Sequence, residues 1–229
     1  MGVYDIYGNS VVTNGTSEIK RVDTRTICHQ GWHDGVEGNS KSAFIKAKEN
    51  GFSIVEADVY ITSDGVLVMS HDSVSNYTLE EWQTSEEHMT LVEFLDLMRA
   101  LNLEVYLDGK SGIGAYSQTV YDEIKKRGIL SNFTFTGTFA SMYSIDENVR
   151  CADLIGNLGN DLSGYRKGNI LYCNYANVTE EEAQNAIDNG FTLEFYTFSS
   201  ASAVQSAPKQ ATRFCTDLVS ADDALMSVY

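Results

Sequence analysis

Short apolar runs rich in β-branched and aromatic residues alternate with amphipathic runs along most of this chain. The apolar runs are RTICHQG (25–31), SIVEADV (53–59), LEVYLD (103–108), FTFTGTF (133–139), ADLIGNL (152–158), NILYCNY (169–175), TLEFYTF (192–198) and RFCTD (213–217). Their length and bounding turn residues predict strands. A further run, VLVMS (66–70), predicts a short extra strand after the second. Helical patterns fall between them. Ser40 is placed to cap a helix with Ala43, Phe44 and Ala47 on one face and Gly51 as its stop. Thr90 opens a second, with Leu91, Phe94, Leu95 and Met98 at helical spacing. Thr179 and Glu182 form a capping box for a third that ends at Gly190. The segment 116–128 reads as a helix closed by Gly128, and the Gly/Asn/Asp-rich stretch 156–168 as a loop.

Strands that alternate with helices build a parallel sheet. Eight such units predict an α/β fold, a (β/α)8 TIM barrel, in a single domain over 25–229. Residues 1–24 precede it and read as a hairpin or arm that covers the barrel bottom. No GxGxxG follows the first strand and no GxxxxGK[ST] loop is present, which removes the simplest nucleotide-binding readings.

Composition narrows the partners. The chain has 229 residues, 43% hydrophobic and 21% charged, enough apolar material for one large core. Lys plus Arg is 16 against Asp plus Glu of 32, a net charge of −16. That balance speaks against nucleic acid, where each phosphate contact needs a cation, and against an anionic membrane surface. A small anionic substrate stays open, because a bound metal reverses the local field. No apolar run approaches the ~20 residues of a transmembrane segment. The first residues lack the basic and apolar regions of a signal peptide, so a cytoplasmic setting is the default, with an exported or phage-associated one left open. Cys28, Cys151, Cys173 and Cys215 show no metal spacing and read as buried free thiols. Neighbouring first and last strands would bring Cys28 near Cys215. The oligomeric state is left open.

Barrel enzymes carry their chemistry at the C-terminal ends of the strands. Here the first strand ends at His29-Gln30-Gly31. The second holds Glu56 and Asp58, two apart and therefore on one face. The extra strand ends at His71-Asp72, and the third at Asp108-Gly109-Lys110. Glu56, Asp58 and Asp108 supply the hard oxygen ligands that Mg2+ or Ca2+ prefers. His29 and His71 carry the imidazole, the side chain suited to proton exchange on opposite sides of a phosphorus. Lys110 and Gln30 are expected at the phosphate. Trp32 and Tyr196 are candidates for the substrate mouth, with a plain loop role and barrel closure as the competing readings. His88 reads as a solvated residue ahead of a helix, and Glu80-Glu81, Glu86-Glu87 and Glu180–Glu182 as solvated faces.

These residues resemble a known family. His29-Gln30-Gly31 followed by Glu37-Gly38-Asn39-Ser40-x-x-Ala43-Phe44 resembles the HRG…PENT..AF start of the glycerophosphodiester phosphodiesterases. Glu56-Ala57-Asp58-Val59-x-x-Thr62-x-Asp64-Gly65-x-x-Val68-x-x-His71-Asp72 is similar to that family's second block. Asp108-x-Lys110, Tyr196-Thr197-Phe198 and Thr216-Asp217 stand where it shows E-x-K, W-T-V and T-D. The resemblance implies a barrel that uses a divalent cation to hydrolyse small-molecule glycerophosphodiesters to glycerol 3-phosphate and an alcohol. It implies His29 and His71 as general acid and base, and Glu56, Asp58 and Asp108 as metal ligands. A related route uses the substrate's own glycerol hydroxyl as nucleophile, which fits a chain without a candidate nucleophilic Ser or Cys.

The departures set the alternatives. Gln30 replaces the family arginine and gives up a bidentate cationic grip on phosphate. Glu37-Gly38 replaces Pro-Glu, Asp108 replaces Glu, and the segment from His71 to Thr90 is short, which predicts an open active-site rim. A weakly active or purely binding barrel is one alternative. A surface or phage-associated module that cleaves glycerol-phosphate polymers is another.

Overall fold

The protein is described here from a computed structural model, which covers residues 3–4, 10–11 and 23–226. Eight parallel strands follow one another around a closed ring. They are β1 (Asp23–Cys28), β2 (Phe52–Ile61), β3 (Glu104–Gly109), β4 (Phe133–Gly137), β5 (Arg150–Ile155), β6 (Ile170–Asn174), β7 (Thr192–Phe198) and β8 (Arg213–Thr216). Each pairs with its neighbour in sequence, and β8 and β2 both pair with β1, so no edge is left open. The extra strand, Leu67–Met69, lies antiparallel on the outer end of β2. The fold is the (β/α)8 barrel expected. At the N-terminus, Val3–Tyr4 pairs antiparallel with Ser10–Val11. The expected position of that arm under the barrel lies outside the described residues.

Period-two alternation sorts each strand's side chains into an inner and an outer set. The outer set of β2, β3 and β4 is apolar: Val55, Ala57, Val59, Val105, Leu107, Phe133 and Phe135 are all buried. The helices close over it. α1 (Lys41–Glu49) starts at Ser40, whose hydroxyl accepts from the Ala43 amide. α2 (Leu79–Trp82) and α3 (Leu91–Leu101) start at Thr78 and Thr90, each with a complete capping box. Phe44 of α1 meets Phe94 of α3 with ring centroids 5.0 Å apart, so the two helices share one apolar seam. α4 (Ser117–Lys126) has no side-chain cap and ends before Gly128. α5 (Glu180–Asp188) begins at the Thr179–Glu182 box. The short helices α6 (Ala201–Ser206) and α7 (Ala221–Met226) close the last two units.

The inner set divides into three levels. At the bottom, Arg213 reaches Glu104 at 3.2 Å and the Tyr106 hydroxyl at 3.1 Å, and that hydroxyl donates to Glu194 at 2.6 Å. The middle level is Ile27, Ile54, Tyr106, Ala152, Tyr172 and Cys215, packed as one cluster. Two residues further along their strands, the inner positions become His29, Glu56, Asp108 and Asp217. An apolar floor therefore stands under a polar mouth.

Two local expectations change. The run 133–139 ends as a strand at Gly137, whose φ of 60° turns the chain into a 3-10 helix over Thr138–Ser144. His88 is not a freely solvated residue: its ring stacks on Trp82 at 4.8 Å and its Nδ1 donates to the Trp82 carbonyl at 2.9 Å. The four cysteines are buried and free, as read from the sequence, and Cys28 and Cys215 do lie on neighbouring strands. The register pairs Cys215 with Ile27 and Cys28 with Thr216, so Cys215 joins the inner cluster while Cys28 packs with Phe44 and Ala47 outside.

Candidate active site

The β2–β3 register sets Asp58 beside Asp108. Glu56 follows on the same face of β2, and ligand atoms from Glu56, Asp58 and Asp108 lie within 4.8 Å of one another. All three residues are buried. Lys110 bridges two of them, its Nζ 2.6 Å from Asp58 Oδ1 and 2.6 Å from Asp108 Oδ2. Three carboxylates against one ammonium leave a surplus of negative charge at the top of the barrel. Burial, reinforced by Asp58 and Asp108, holds the Glu56 carboxyl well above its ordinary range. Burial also raises Asp108, against the pull of Lys110. Burial would raise Asp58 too, but Lys110 and the hydrogen bonds from Lys110 and Asn39 hold it low. The Lys110 ammonium, partly buried, is stabilised well above its usual value by Asp58 and Asp108.

The loop after β1 completes this cluster. Gln30, with φ 53°, donates its backbone N–H to Glu56 Oε2 at 3.1 Å. Asn39, with φ 59°, donates its side-chain amide to Asp58 Oδ2 at 2.8 Å and accepts the Asp58 backbone N–H at 2.9 Å. The Gln30 side chain itself lies over Gly38, where a Cβ would sit 2.4 Å from Gln30 Oε1. Gln30 and Gly38, two of the departures from the family motif, are therefore one adjacent pair.

The donors present suit a hard divalent cation. Asp108 Oδ1 is buried without a hydrogen-bond partner, next to two further carboxylates carrying excess charge. That is the environment in which a cation relieves both repulsion and desolvation.

His29 stands beside this cluster. Its Nδ1 is 2.6 Å from Asp217 Oδ1, and its Nε2 is 3.9 Å from Glu56 Oε2. The hydrogen bond from His29 is the main cause that holds the Asp217 carboxyl below its usual range. This carboxylate fixes the ring, with the proton on Nδ1, and points Nε2 toward the mouth. His33 also approaches Asp217, with Nε2 at 3.9 Å. His71 is more open, its side chain 56% exposed, with Nδ1 3.0 Å from Asp72 Oδ1. It lines a cavity of about 360 Å3 together with Gln30 and Asn39.

The remaining expected substrate residues fare differently. Trp32 is committed to packing: its ring stacks on Phe52 at 5.1 Å and lies against the outer core. Tyr196 is an inner residue of β7, edge-on to Tyr172 at 4.9 Å, and its hydroxyl donates to the Ile155 carbonyl at 3.1 Å. Two contributors had no role assigned from sequence, Asn39 and Asp217. Both sit inside motif fragments, Glu37-Gly38-Asn39-Ser40 and Thr216-Asp217, and that was the only signal of them.

Residues 29–155 match the model of the glycerophosphoryl diester phosphodiesterase family, more than half of the chain. The chain belongs to this family. A glycerophosphodiester phosphodiesterase from Caldanaerobacter subterraneus is 32% identical over 116 residues, 41% of this chain and 48% of that protein. The match thus spans about half the length of that curated relative. Among solved structures of the family, one from Parabacteroides distasonis superposes with a TM-score of 0.78 at 19% identity, over 91% of this chain and 99% of that one. A phosphodiesterase from Oleispira antarctica, solved with the product sn-glycerol-3-phosphate, superposes with a TM-score of 0.75 at 13% identity, over 89% of this chain and 95% of that one. At such identities the likeness of these phosphodiesterases is one of fold. Among the described residues no helix is long and apolar enough to cross a membrane.

Proposed function

We propose that this chain is a metal-dependent glycerophosphodiester phosphodiesterase that releases glycerol 3-phosphate and an alcohol. The observation that carries this reading is one constellation at the barrel mouth: the Glu56, Asp58 and Asp108 cluster, with His29 beside Glu56 and a His71-lined cavity that shares Gln30 and Asn39 with the cluster. Glu56, Asp58 and Asp108 would hold Mg2+ or Ca2+. Such an ion supplies Lewis-acid stabilisation of charge on a phosphoryl oxygen.

The chain's own groups account for the rest. His29, held by Asp217, presents Nε2 to accept the proton of an attacking water, or of the substrate's glycerol hydroxyl, in which case a cyclic phosphate forms as the alcohol leaves and water then opens it to glycerol 3-phosphate. His71 stands on the cavity side, where the alcohol departs, and gives that oxygen a proton as its bond to phosphorus breaks. Lys110 favours the charged forms of Asp58 and Asp108, prevailing over burial at Asp58 only, and adds positive charge near the non-bridging oxygens. Gln30 replaces a charged contact by an amide and a backbone N–H already committed to Glu56.

The test is hydrolysis of a small glycerophosphodiester with Mg2+ or Ca2+ by the protein and by His29→Ala and His71→Ala. General acid–base groups contribute ~10²–10⁴ in rate, so each variant is expected to lose at least a hundredfold with its circular dichroism unchanged. Wild-type rates in both variants would refute the roles. Binding of metal and diester without turnover by the unmodified chain would instead favour a binding module.

A further inference from the structure

The turn that carries Asp217 holds Leu218 at φ 52°. A bulky residue takes up that left-handed conformation only where its surroundings impose it. Among the described residues three other non-glycine residues share it: Asn102, which ends α3, and Gln30 and Asn39, which bond Glu56 and Asp58. The Leu218 side chain is exposed, so the constraint lies in the two ends of its turn. At the entry, the Asp217 N–H donates to the Phe198 carbonyl at 2.7 Å, and the Thr216 carbonyl accepts the His29 N–H at 3.1 Å. At the exit, the Ser220 hydroxyl donates to Asp23 Oδ2 at 2.6 Å, and the Ala221 N–H donates to the Thr26 hydroxyl at 2.8 Å. That hydroxyl donates in turn to Asp23 Oδ2 at 2.5 Å. Asp23 Oδ1 accepts the backbone N–H groups of Arg25 and Thr26 at 3.0 and 2.8 Å.

We propose that Asp23 and Ser220 are positioning residues for catalysis: their hydrogen bond clasps the exit of this turn to β1 and so holds Asp217 on His29. The catalytic part rests on the phosphodiesterase reading above, in which His29 is the base. Asp23 and His29 both belong to β1 and its end, while Asp217 and Ser220 both belong to the turn. The Asp23–Ser220 bond therefore fixes turn against strand, and with it the 2.6 Å approach of Asp217 Oδ1 to His29 Nδ1. Asp23 is buried, and backbone donors of its own strand hold its other oxygen, so it cannot follow the turn if the turn moves. The Ser220 hydroxyl has a second task, accepting the Asp223 N–H at 3.1 Å as the cap of α7. Without the clasp, Leu218 can relax out of its left-handed conformation and carry the Asp217 carboxylate with it. Neither Asp23 nor Ser220 lies in a motif fragment, and both stand outside the metal cluster.

The test separates clasp from cap and from general stability. Ser220→Asp keeps a good cap for α7 but sets a second carboxylate against Asp23, Ser220→Ala loses both functions, and Ser220→Thr keeps both. With a small glycerophosphodiester and Mg2+, Ser220→Asp and Ser220→Ala are expected to lower kcat about tenfold with KM little changed, since small misplacements of catalytic groups are costly. Ser220→Thr should retain the wild-type rate. In the Asp217→Asn background, Ser220→Asp should cost nothing further, because both changes remove the same support. Independent effects would instead multiply, to about a hundredfold. A second readout needs no turnover. The short His29–Asp217 hydrogen bond should give a downfield proton resonance that Asp217→Asn abolishes and Ser220→Asp shifts or broadens, while Ser220→Thr leaves it in place. Wild-type kcat in folded Ser220→Asp, or a multiplicative loss in the double variant, would overturn the proposal and leave the phosphodiesterase reading standing. No turnover by the unmodified chain would overturn that reading and the catalytic part of the proposal. The resonance would then judge the clasp alone, which an unchanged signal in Ser220→Asp would refute.

Discussion

His29 and Asp217 are separated by 188 positions and meet at 2.6 Å. The contact gives Asp217 a positioning role: it fixes which His29 nitrogen carries the proton and where the other points. Asp217→Asn can still accept a hydrogen bond through its amide oxygen, but loses the charge that would stabilise a protonated His29. We expect kcat to fall by about tenfold or more with KM little changed, within the range assigned to general acid–base catalysis. The same pair carries a pH signature. The folded-state value of Asp217 is depressed, chiefly by the His29 hydrogen bond. Its contribution to stability is present above the ordinary carboxylate value of ~3.9 and is lost as pH falls through the lower folded value. Acid titration of the Tm should therefore show wild-type protein more stable than Asp217→Asn at pH 5–6, with the curves converging in stronger acid. Parallel curves at all pH values would deny Asp217 this role.

Among the elements, β2 and β4 matter most for the site. β2 supplies two of the three carboxylates because positions 56 and 58 share a face, and its pairing with β3 sets Asp58 opposite Asp108. The end of β4 fixes where Asp108 can lean. Gly137 has φ 60°, and a Cβ there would sit 1.9 Å from Asp108 Oδ1 and 2.5 Å from the Gly109 carbonyl. A side chain at 137 must either displace Asp108 or unwind the strand end. Gly137→Ala is expected to weaken cation binding by tenfold or more and to lower stability by about 1–3 kcal/mol through backbone strain alone. Isothermal titration with the metal and thermal melts check the two effects separately. Unaltered metal affinity would mean that Asp108 does not need this position.

At the scale of the molecule, the barrel concentrates like charge at one end. Its interior runs from a paired polar base through the apolar layer of Ile27, Ile54, Tyr106, Ala152, Tyr172 and Cys215 to the acidic mouth. Folding thus forces Glu56, Asp58 and Asp108 together at a cost that a divalent cation would relieve. A ligand that binds only the folded state at a hundred times its Kd stabilises by about 2.7 kcal/mol. For a chain of this size, that is about 5–10 °C in Tm. Mg2+ or Ca2+ should raise the melting temperature accordingly, and the increase should vanish in Asp108→Asn. An equal shift in that variant would place the ion elsewhere.

The strand–helix alternation was legible because its causes are local. Periodicity, the Ser40, Thr90 and Thr179 caps and the glycine stops depend on neighbours a few positions away. The candidate ligands were legible for the same reason, since strand-end position and spacing give each side chain its face. What the segment from His71 to Thr90 does was not legible. Its brevity predicts a bare rim, yet it folds into α2, stacks Trp82 on His88 and walls a cavity. Nor was the partition of Cys28 and Cys215 to opposite sides of the sheet, because a single step of register decides it. The partnership of His29 with Asp217, the closeness of Gly137 to Asp108 and the packing of Trp32 on Phe52 depend likewise on closure and tilt of the ring. The sequence by itself determined which residues could do chemistry and on which strand ends they stand. Only the tertiary structure decided which of them meet, because contacts between distant strands follow from the register and closure of the barrel, to which every strand contributes.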